Sequence, residues 1–364
     1  MAEHVRAISL KGGAGPSEAA VAHLEALLKA GTLQAIMVPR RSADGRTYAH
    51  ALVTAPAGLR GADPFAPVMP ASCATALSRL TKLEAPKGRV GVVMRPCEIA
   101  AAIELSKLLQ VRLDNIAVIG VDCHGTMSVQ DHIKMRDAGK DPKDAMGTDL
   151  KLHREACLTC DWAEPQHRDM LLGLFSEGSG HLVVAAEDER LLAGLPEAPR
   201  EAVTARDAKV KEVAERRAKA RAEVFHGVDT NLQGSRAFSA HFGTCIVCHN
   251  CMDQCPVCYC NECFFESQTF RYEAEKMLRW AGTKGGLDMP TDKHIFHLGR
   301  MGHMVATCVG CGMCTQACPV DINVGRVFKY VASQVQPMFD YKAGRSLKDP
   351  LPQATYLEDE LEPR

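Results

Sequence analysis

Clustered cysteines constrain this chain of 364 residues more than any other feature of its sequence. Eleven of the 16 cysteines lie between Cys245 and Cys318, and eight of them form two runs with the pattern Cys-x2-Cys-x2-Cys-x3-Cys-Pro. Thiolates that bind a metal cluster must converge on one small volume, so short and regular spacings indicate ligands. This pattern is the one that holds [4Fe–4S] clusters in two-cluster ferredoxins.

Each run is predicted to contribute to two clusters. The first three cysteines of a run wrap a tight loop around one cluster, and the fourth begins a helix that points away and binds the other cluster. The ligands of the first predicted cluster are Cys245, Cys248, Cys251 and Cys318. The ligands of the second are Cys308, Cys311, Cys314 and Cys255. A zinc ribbon would instead use two Cys-x2-Cys knuckles and four thiolates per site, which does not account for two complete runs that each end in proline.

Other cysteines are less clearly ligands. Cys258, Cys260 and Cys263 directly follow the first run. No fourth partner is visible nearby, so the sequence leaves open whether these three bind metal or are buried thiols. Cys73 is interpreted as a core thiol, because free cysteine is among the residue types most often buried.

The amino-terminal half has the pattern of an α/β domain. Residues 90–94 and 116–121 are short apolar runs typical of buried strands, and Ile99, Ile103 and Leu105 between them suit a helix packed on a sheet. Strand, helix and strand within about 32 residues form a βαβ unit, whose two strands run parallel. Ligands of open α/β sheets bind beyond the carboxyl ends of the strands.

Four cysteines of this half are candidates for a site at that edge. Cys97 and Cys123 directly follow the two predicted strands, and Cys157 and Cys160 form a Cys-x2-Cys pair. Four thiolates are enough for a third [4Fe–4S] cluster. Alternatively, Cys97 and Cys123 are small buried hydrophobic residues. The spacing alone leaves both interpretations open.

Composition excludes some classes of function. Lys+Arg 43 against Asp+Glu 44 gives a net charge of −1, so no basic field favours binding to nucleic acid or to an acidic membrane surface. No apolar run approaches the ~18 residues that a spanning helix needs. The first residues, MAEHVRAISLKGG, have no signal-peptide core. We therefore expect a cytoplasmic protein with no transmembrane segment and no nucleic-acid partner.

The sequence predicts four consecutive segments. An α/β domain at 1–195 is followed by an exposed helical linker at 196–232. A two-cluster domain like that of bacterial ferredoxins, expanded by a long spacer between its cysteine runs, follows at 233–335. The polar and proline-interrupted residues 336–364 are expected to be an extended arm over this subunit or a partner.

Several segments resemble the coenzyme F420 hydrogenase/dehydrogenase beta-subunit family, which includes beta subunits of formate dehydrogenases. The two cysteine runs alone are generic. Their combination with a PCE motif and the CPVCYCNEC run is specific, and it carries the resemblance. The similar segments are TYAHALV (47–53), PVMP (67–70), RPCEIAAAIELSKL (95–108), VIGVDCHGT (118–126), REACLTC (154–160), both cysteine runs and the RSLKDPLP tail.

The resemblance implies an iron–sulfur flavoprotein with FAD in the α/β domain beside a [4Fe–4S] cluster, which favours the third-cluster interpretation. From their position at the strand ends, the residues expected to contact FAD are Arg95, Glu98, His124, Gly125 and Thr126. No catalytic acid or base is expected, because such a flavin would convert between two-electron and one-electron transfer.

The resemblance also implies that the chain is an electron-transfer subunit of an anaerobic oxidoreductase complex. Its expected partners are formate dehydrogenase, hydrogenase or heterodisulfide-reductase-like subunits, with ferredoxin, NAD or coenzyme F420 as a soluble carrier. The alternative is a relay or scaffold subunit that has clusters but no flavin.

Overall fold

A computed structural model of the chain describes residues 3–10, 15–147, 149–232, 234–270, 273–285 and 292–355. The amino-terminal half of the described chain is built on a seven-stranded sheet with the order β1-β7-β6-β5-β4-β2-β3. The strands are β1 (His4–Ser9), β2 (Ala35–Arg41), β3 (Tyr48–Val53), β4 (Val90–Met94), β5 (Ile116–Val121), β6 (Met170–Gly173) and β7 (His181–Ala186).

The middle of the sheet is parallel and its edges are antiparallel. Strands β2, β4, β5 and β6 pair in parallel, whereas β3 pairs antiparallel with β2, and β7 pairs antiparallel with both β6 and β1. Every residue of β4 and β5 is buried, as expected for continuous apolar runs covered on both faces. The predicted βαβ unit is confirmed, with Val90 opposite Ile116 and the helix α3 (Pro96–Lys107) between the two strands.

The two faces of the sheet belong to different hydrophobic cores. Successive side chains of a strand point to opposite faces. Val93 of β4 accordingly packs in one core with the helix α1 (Pro16–Lys29), while Val92 packs in the other with α2 (Cys73–Thr81) and α3. The second core continues without a break into the cysteine-rich half, where it includes Phe296 and Phe328. The two halves of the chain therefore share a core.

The remaining elements are helical and mostly short. The other α-helices are α4 (Val129–Asp137), α5 (Pro142–Met146), α6 (Glu155–Leu158), α7 (Arg200–Asn231), α8 (Gly234–His241), α9 (Asn250–Asp253), α10 (Ala274–Lys284), α11 (Asp292–Met304), α12 (Met313–Gln316) and α13 (Val324–Met338). Single 3₁₀ turns lie at Pro56–Leu59, Leu150–Leu152, Leu174–Ser179, Glu189–Leu192, Phe264–Glu266, Gln268–Phe270 and Pro352–Ala354.

The helix α7 differs from its prediction as an exposed linker. It lies against α6, α13 and the turn at Leu174–Ser179. Its side chains Arg206 and Arg217 are buried, with only 7% and 3% of their surface exposed. Charge-rich composition suggested a solvated helix, but long arginine side chains can bury their stems and direct their charge to fixed acceptors.

The segment after α13 lies over the amino-terminal half. The Tyr341 hydroxyl donates to Glu104 Oε2 at 2.5 Å, and the Gly344 amide donates to Glu104 Oε1 at 2.7 Å. Gly344 has φ +81° and lies so close to α3 that a Cβ atom there would be 2.3 Å from the Ala100 Cβ. The described part of the predicted arm thus covers this subunit, and residues 356–364 lie outside the described residues.

None of the described helices is both long enough and apolar enough to cross a membrane.

Candidate redox sites

The carboxyl edge of the parallel strands carries the first group of cysteines. Cys97 lies in the first turn of α3, directly after β4, and Cys123 follows β5. Cys157 lies in α6, and Cys160 comes two residues after the end of that helix. All four side chains line one small pocket. The structure thus brings together the four predicted residues, which we call site III.

Burial dominates the electrostatics of two thiols in site III. It raises the pKa of the Cys97 thiol well above its ordinary value, and the neighbouring Glu98 and Cys160 raise it further. Burial also raises the pKa of the Cys123 thiol, against the opposing effect of the Arg95 guanidinium. These thiols become good ligands only beside a positive charge, since metal binding requires the thiolate.

Cys157 is the thiol of site III with the most hydrogen-bond donors around it. The backbone N–H of Thr126 donates to its Sγ at 3.3 Å, and the Thr126 hydroxyl lies 3.4 Å from the same atom. The guanidinium of Arg154 lies 3.8 Å away through Nη2. Although burial opposes them, Arg154 and Thr126 lower the pKa of the Cys157 thiol below its ordinary value. The site therefore favours a thiolate at this position.

Arginines of α7 hold the loops that carry site III. Arg217 donates to the carbonyl oxygens of Trp162 at 2.7 Å and Cys123 at 2.6 Å, so it ties two separate loops to one side chain. Arg221 donates to the carbonyl oxygen of Cys160 at 3.2 Å. These charge-assisted bonds fix loops that no regular secondary structure holds.

A third arginine of α7 pairs with the end of β5. Arg206 donates to the two carboxylate oxygens of Asp122 at 2.8 and 2.9 Å, and to Glu164 at 3.0 Å. No sequence motif marks these arginines as part of a site. Their spacing was the available signal, because Arg206, Arg217 and Arg221 are separated by 11 and 4 residues and so share one face of a helix.

The ferredoxin-type cysteines form two further groups. Site I consists of Cys245, Cys248, Cys251 and Cys318. Site II consists of Cys255, Cys308, Cys311 and Cys314. In each group the fourth cysteine of one run lies beside the first three of the other, which is the crossed arrangement that the spacing predicts.

The pKa values of these thiols reflect that grouping. Burial raises the pKa of the Cys251 thiol to about 11, Arg300 opposes it, and Cys245, Cys248 and Cys318 raise it further. In site II, burial raises the pKa of the Cys314 thiol well above its ordinary value, and the other three thiols of the site add to this. Assembly of each site therefore places thiols where they repel one another as thiolates unless positive charge is present.

The helix α11 covers site I. Its Arg300 donates through Nη1 to the Cys251 Sγ at 3.1 Å and through Nη2 to the Cys251 carbonyl at 3.0 Å. Its His297 has Nε2 at 3.3 Å from the Cys245 Sγ and stacks on Phe242 with ring centroids 3.9 Å apart. Burial, reinforced by Arg300, lowers the pKa of His297 to about 3, so this ring is neutral. The spacer between the cysteine runs thus supplies polar contacts to site I that the sequence analysis did not identify.

Sites II and III are in contact. Cys311 of site II lines the pocket of site III, and its thiol is close enough to raise the pKa of Cys97. The next residue, Gly312, has φ +70°, and a Cβ atom there would lie 2.3 Å from the Cβ of Ala156 in α6. Only glycine permits this close approach without a shift of the backbone.

The remaining cysteines lie outside these three sites. Burial raises the pKa of the Cys258 thiol to about 12. Cys260 is exposed, and the Cys263 Sγ lies 3.4 Å from the Met252 Sδ. Cys73 is fully buried, as predicted. Within the described ranges, no three His, Cys, Asp or Glu side chains are arranged to hold a single metal ion.

A larger cavity, of about 470 Å³, opens at the same sheet edge as site III. The first turn of α1, from Gly15 to Glu18, forms one wall, and Lys143 forms another. The first N–H groups of a helix lack intrahelical partners, and its positive dipole end attracts anions. His124 also lines the cavity, and its buried Nε2 makes no hydrogen bond among the described residues but lies 3.5 Å from Oε1 of Glu177, another lining residue. The cavity therefore offers donors for a polar or phosphorylated ligand.

The five predicted flavin contacts occupy different places. Arg95, His124 and Gly125 line the large cavity, whereas Thr126 lines the pocket of site III. Glu98 lines neither of them. It is 1% exposed and accepts hydrogen bonds from the backbone N–H groups of Cys73 at 2.7 Å and Arg95 at 2.9 Å. Its position serves the packing of α2 against α3, and a role in ligand contact does not follow from it.

Several known proteins are similar to this chain or to part of it. Residues 241–322 match the family described as 4Fe-4S dicluster domain. The chain is 23% identical over 296 residues to the F420-dependent formate dehydrogenase subunit beta of Methanocaldococcus jannaschii, covering 70% of this chain and 74% of the relative. It is 25% identical over 298 residues to the F420-dependent formate dehydrogenase 1 subunit beta of Methanococcus maripaludis, covering 70% and 73%.

A solved structure of the F420-reducing [NiFe] hydrogenase complex from Methanosarcina barkeri contains a chain that aligns with a TM-score of 0.45 and 14% identity. The alignment covers 64% of this chain and 92% of that one. The relatives confirm the resemblance that the sequence motifs indicated. The chain is similar over 70% of its length to two F420-dependent formate dehydrogenase beta subunits, and it combines a mixed α/β sheet with a 4Fe-4S dicluster domain.

Proposed function

We propose that this chain is an iron–sulfur flavoprotein that transfers electrons within an oxidoreductase complex of the F420-dependent formate dehydrogenase or hydrogenase type. The continuity of its sites is the observation that carries this proposal. The large cavity and the pocket of site III share Arg95, Cys123 and Gly125. The pocket of site III in turn includes Cys311 of site II. Redox groups held in these places would be neighbours in one series.

FAD is the proposed ligand of the large cavity. Its volume of about 470 Å³ is within the range of ~300–1,000 Å³ that small-molecule sites occupy. The N-terminus of α1 would bind the negative phosphates, and Lys143, which pairs with Asp63, would add its charge from another wall. His124 would turn its Nε2, which lies 3.5 Å from Glu177, to a polar atom of the ligand. Arg95 and Gly125 complete the wall toward site III. When bound, the flavin would supply the conversion between two-electron and one-electron transfer.

Site III is proposed to hold a third [4Fe–4S] cluster beside the two of the dicluster domain. Its four thiols converge on one pocket. Arg95 and Arg217 both act on the Cys123 thiol, and Arg154 acts on Cys157, so positive charge compensates thiolates there. Burial of a cation is costly unless the cation is paired. If these cysteines were only small buried hydrophobic residues, there would be no reason to place arginines beside them.

The proposed partner is a catalytic subunit that oxidises the primary substrate of the complex. The two curated relatives are named for F420-dependent formate dehydrogenases. Coenzyme F420 is therefore the proposed soluble carrier, with ferredoxin and NAD as the other candidates. No cysteine of site I lines the cavity or the pocket of site III, and its proposed ligand Cys248 is exposed. Exchange of electrons with a partner protein is accordingly assigned to site I.

Native mass spectrometry of protein purified without oxygen tests the proposal. Mass increments for three [4Fe–4S] clusters and one FAD are expected. A Cys160→Ser variant should lose one cluster, and Cys260→Ser, which changes an exposed thiol outside the three sites, should lose none. Two clusters without flavin would contradict the proposal and favour a flavin-free relay. Three clusters without flavin would contradict only the assignment of the cavity.

A further inference from the structure

We infer that the helix α11 raises the reduction potential of the site I cluster above that of the site II cluster, through His297 and Arg300. The inference deepens the proposed function and rests on it, because it requires [4Fe–4S] clusters with the crossed ligands assigned above. It concerns two side chains in the spacer between the cysteine runs. Neither of them belongs to a cluster motif.

The contacts of the two side chains are direct. Arg300 Nη1 donates to the Cys251 Sγ at 3.1 Å, and His297 Nε2 lies 3.3 Å from the Cys245 Sγ. Both side chains are almost completely buried, with 3% and 1% of their surface exposed. A polar group is buried at a cost unless it has a partner, and here the partner atom is sulfur. Their burial is therefore explained by the thiolates that they face.

The tautomer of His297 follows from its surroundings. Nδ1 is buried and has no hydrogen-bond partner among the described residues. An N–H group in that position would be an unsatisfied buried donor, which costs more than an unpaired lone pair. The proton therefore belongs on Nε2, which points toward the Cys245 thiolate. The ring stays in this orientation because it stacks on Phe242 at 3.9 Å.

The side chain of Arg300 is also fixed in position by several contacts. Its second nitrogen, Nη2, donates to the Cys251 carbonyl at 3.0 Å, and its guanidinium lies over the rings of Phe296 and Phe328 at 5.6 and 5.0 Å. Two bonds to one residue and two aromatic faces leave little freedom for the side chain. The positive charge is therefore fixed beside the sulfur atom of a predicted ligand.

Site II has cations nearby but no side-chain hydrogen bond to its sulfur atoms among the described residues. Against the effect of burial, Lys329 lowers the pKa of Cys308, Arg154 that of Cys311, and Arg300 that of Cys314. The thiols of site II receive backbone hydrogen bonds from Gly310 and Met313. Site I has the equivalent backbone donors, from Val247 to Cys245 at 3.4 Å and from Ile322 to Cys318 at 3.3 Å. The two sites thus differ in the direct hydrogen bonds that His297 and Arg300 make to sulfur atoms of site I, whereas the charge of Arg300 reaches both sites.

Hydrogen bonds to the sulfur atoms raise the potential of an iron–sulfur cluster, because they stabilise its more negative, reduced state. A cation at hydrogen-bond distance acts in the same direction. Site I also carries the exposed ligand Cys248. The reducing equivalents of the dicluster domain are therefore expected to collect at the surface-exposed end, where a partner protein can accept them.

An EPR-monitored redox titration of the full-length, anaerobically purified protein tests this inference. Cys248→Ser identifies the signal of site I by removing it. His297→Phe keeps a stacking ring but has no N–H donor, and we expect it to move the site I potential to a more negative value while site II stays unchanged. His297→Gln, which retains an N–H donor, should keep the site I potential close to that of the wild type. His303→Gln, at an exposed position of the same helix, should leave both potentials as they are.

The variant Arg300→Met tests the inference independently. We expect it to shift the reduction potential of site I more than that of site II. Unchanged potentials in His297→Phe and Arg300→Met, at full iron content, would overturn the inference. So would equal shifts at both sites, or loss of site I iron in these two variants together with His297→Gln, since the residues would then serve packing only. A wild-type protein without the two clusters would refute the proposed function itself.

Discussion

Sites I and III hold four cysteines each by different means. Site I takes three of its thiols from one compact run, Cys245 to Cys251, and its fourth from Cys318. Site III takes its thiols from three separate segments of an α/β domain, which are the first turn of α3, the loop after β5, and α6 with the residues that follow it. Arginines of the distant helix α7 then tie two of these segments together. A contiguous run carries its own geometry, whereas a dispersed site depends on residues that no motif contains.

The difference predicts where each site is vulnerable. Substitutions in the runs should remove a cluster directly, because the backbone loop is built around it. Site III should also fail when its supporting arginine is removed, although that arginine is not a ligand. Polar contacts of this kind determine the orientation of ligands and are often as important as the ligands themselves.

The largest effect is expected for Cys311→Ser, because this residue belongs to site II and also borders site III. The variant should lose the site II cluster and lower the stability of the whole dicluster domain, while Cys160→Ser should lose only the site III cluster. Iron and sulfide content together with EPR spectra measure both. A Cys311→Ser protein with full iron content and activity would refute the assignment.

Arg217→Ala should come next in size. It leaves the partly buried carbonyl oxygens of Trp162 and Cys123 without their charged donor. A buried acceptor left unpaired costs ~1–3 kcal/mol, and water can reach these two in part, so the free energy of unfolding should fall by about 1–3 kcal/mol in total. Iron should be lost from site III and retained in sites I and II. Lys219→Ala, at an exposed position of the same helix, is the matched control and should change nothing.

Gly312→Ala tests the close contact between sites II and III. Its new methyl group would lie 2.3 Å from the Ala156 Cβ, at a φ of +70° that disfavours alanine. Overpacking of this kind costs ~1–3 kcal/mol. Gly302→Ala, in the helix α11 where nothing lies within 4 Å, should instead be neutral or stabilising by up to ~1 kcal/mol. Thermal unfolding of the two variants, followed in parallel, distinguishes a steric effect from a general intolerance of alanine.

The smallest effect is a dependence on pH beside the large cavity. Burial lowers the pKa of His153 to about 4 from 6.5, although its Nε2 contacts the Met146 carbonyl at 2.9 Å. Below pH 6.5 the unfolded chain binds a proton that the folded chain does not. Stability should therefore fall as the pH drops from 6.5 toward 4, by at most ~1.4 kcal/mol per pH unit for this group. Denaturant unfolding of wild type and His153→Gln between pH 5 and 7 measures the difference, and identical slopes would contradict it.

Sequence reasoning succeeded where residues that act together are close in the chain. The parallel pair β4 and β5 and the helix between them occupy the predicted positions, because apolar runs and their spacing reflect a local physical requirement. The crossed grouping of Cys255 with the second run and of Cys318 with the first also followed from spacing. Sequence reasoning predicted the helix α7, which has five buried residues among 32, but it did not predict that two of those five are the arginines Arg206 and Arg217.

By itself, the sequence determined the dicluster domain, the parallel strand pair and the sheet edge at which Cys97 and Cys123 lie, since each is encoded by neighbours within a few turns of chain. Only the tertiary structure decided that Cys97, Cys123, Cys157 and Cys160 share one pocket, that Arg217 clamps their loops, and that His297 and Arg300 face the thiols of site I. These contacts join residues up to 94 positions apart. Their energies depend on burial and direction, which appear only once the two halves of the chain share a core.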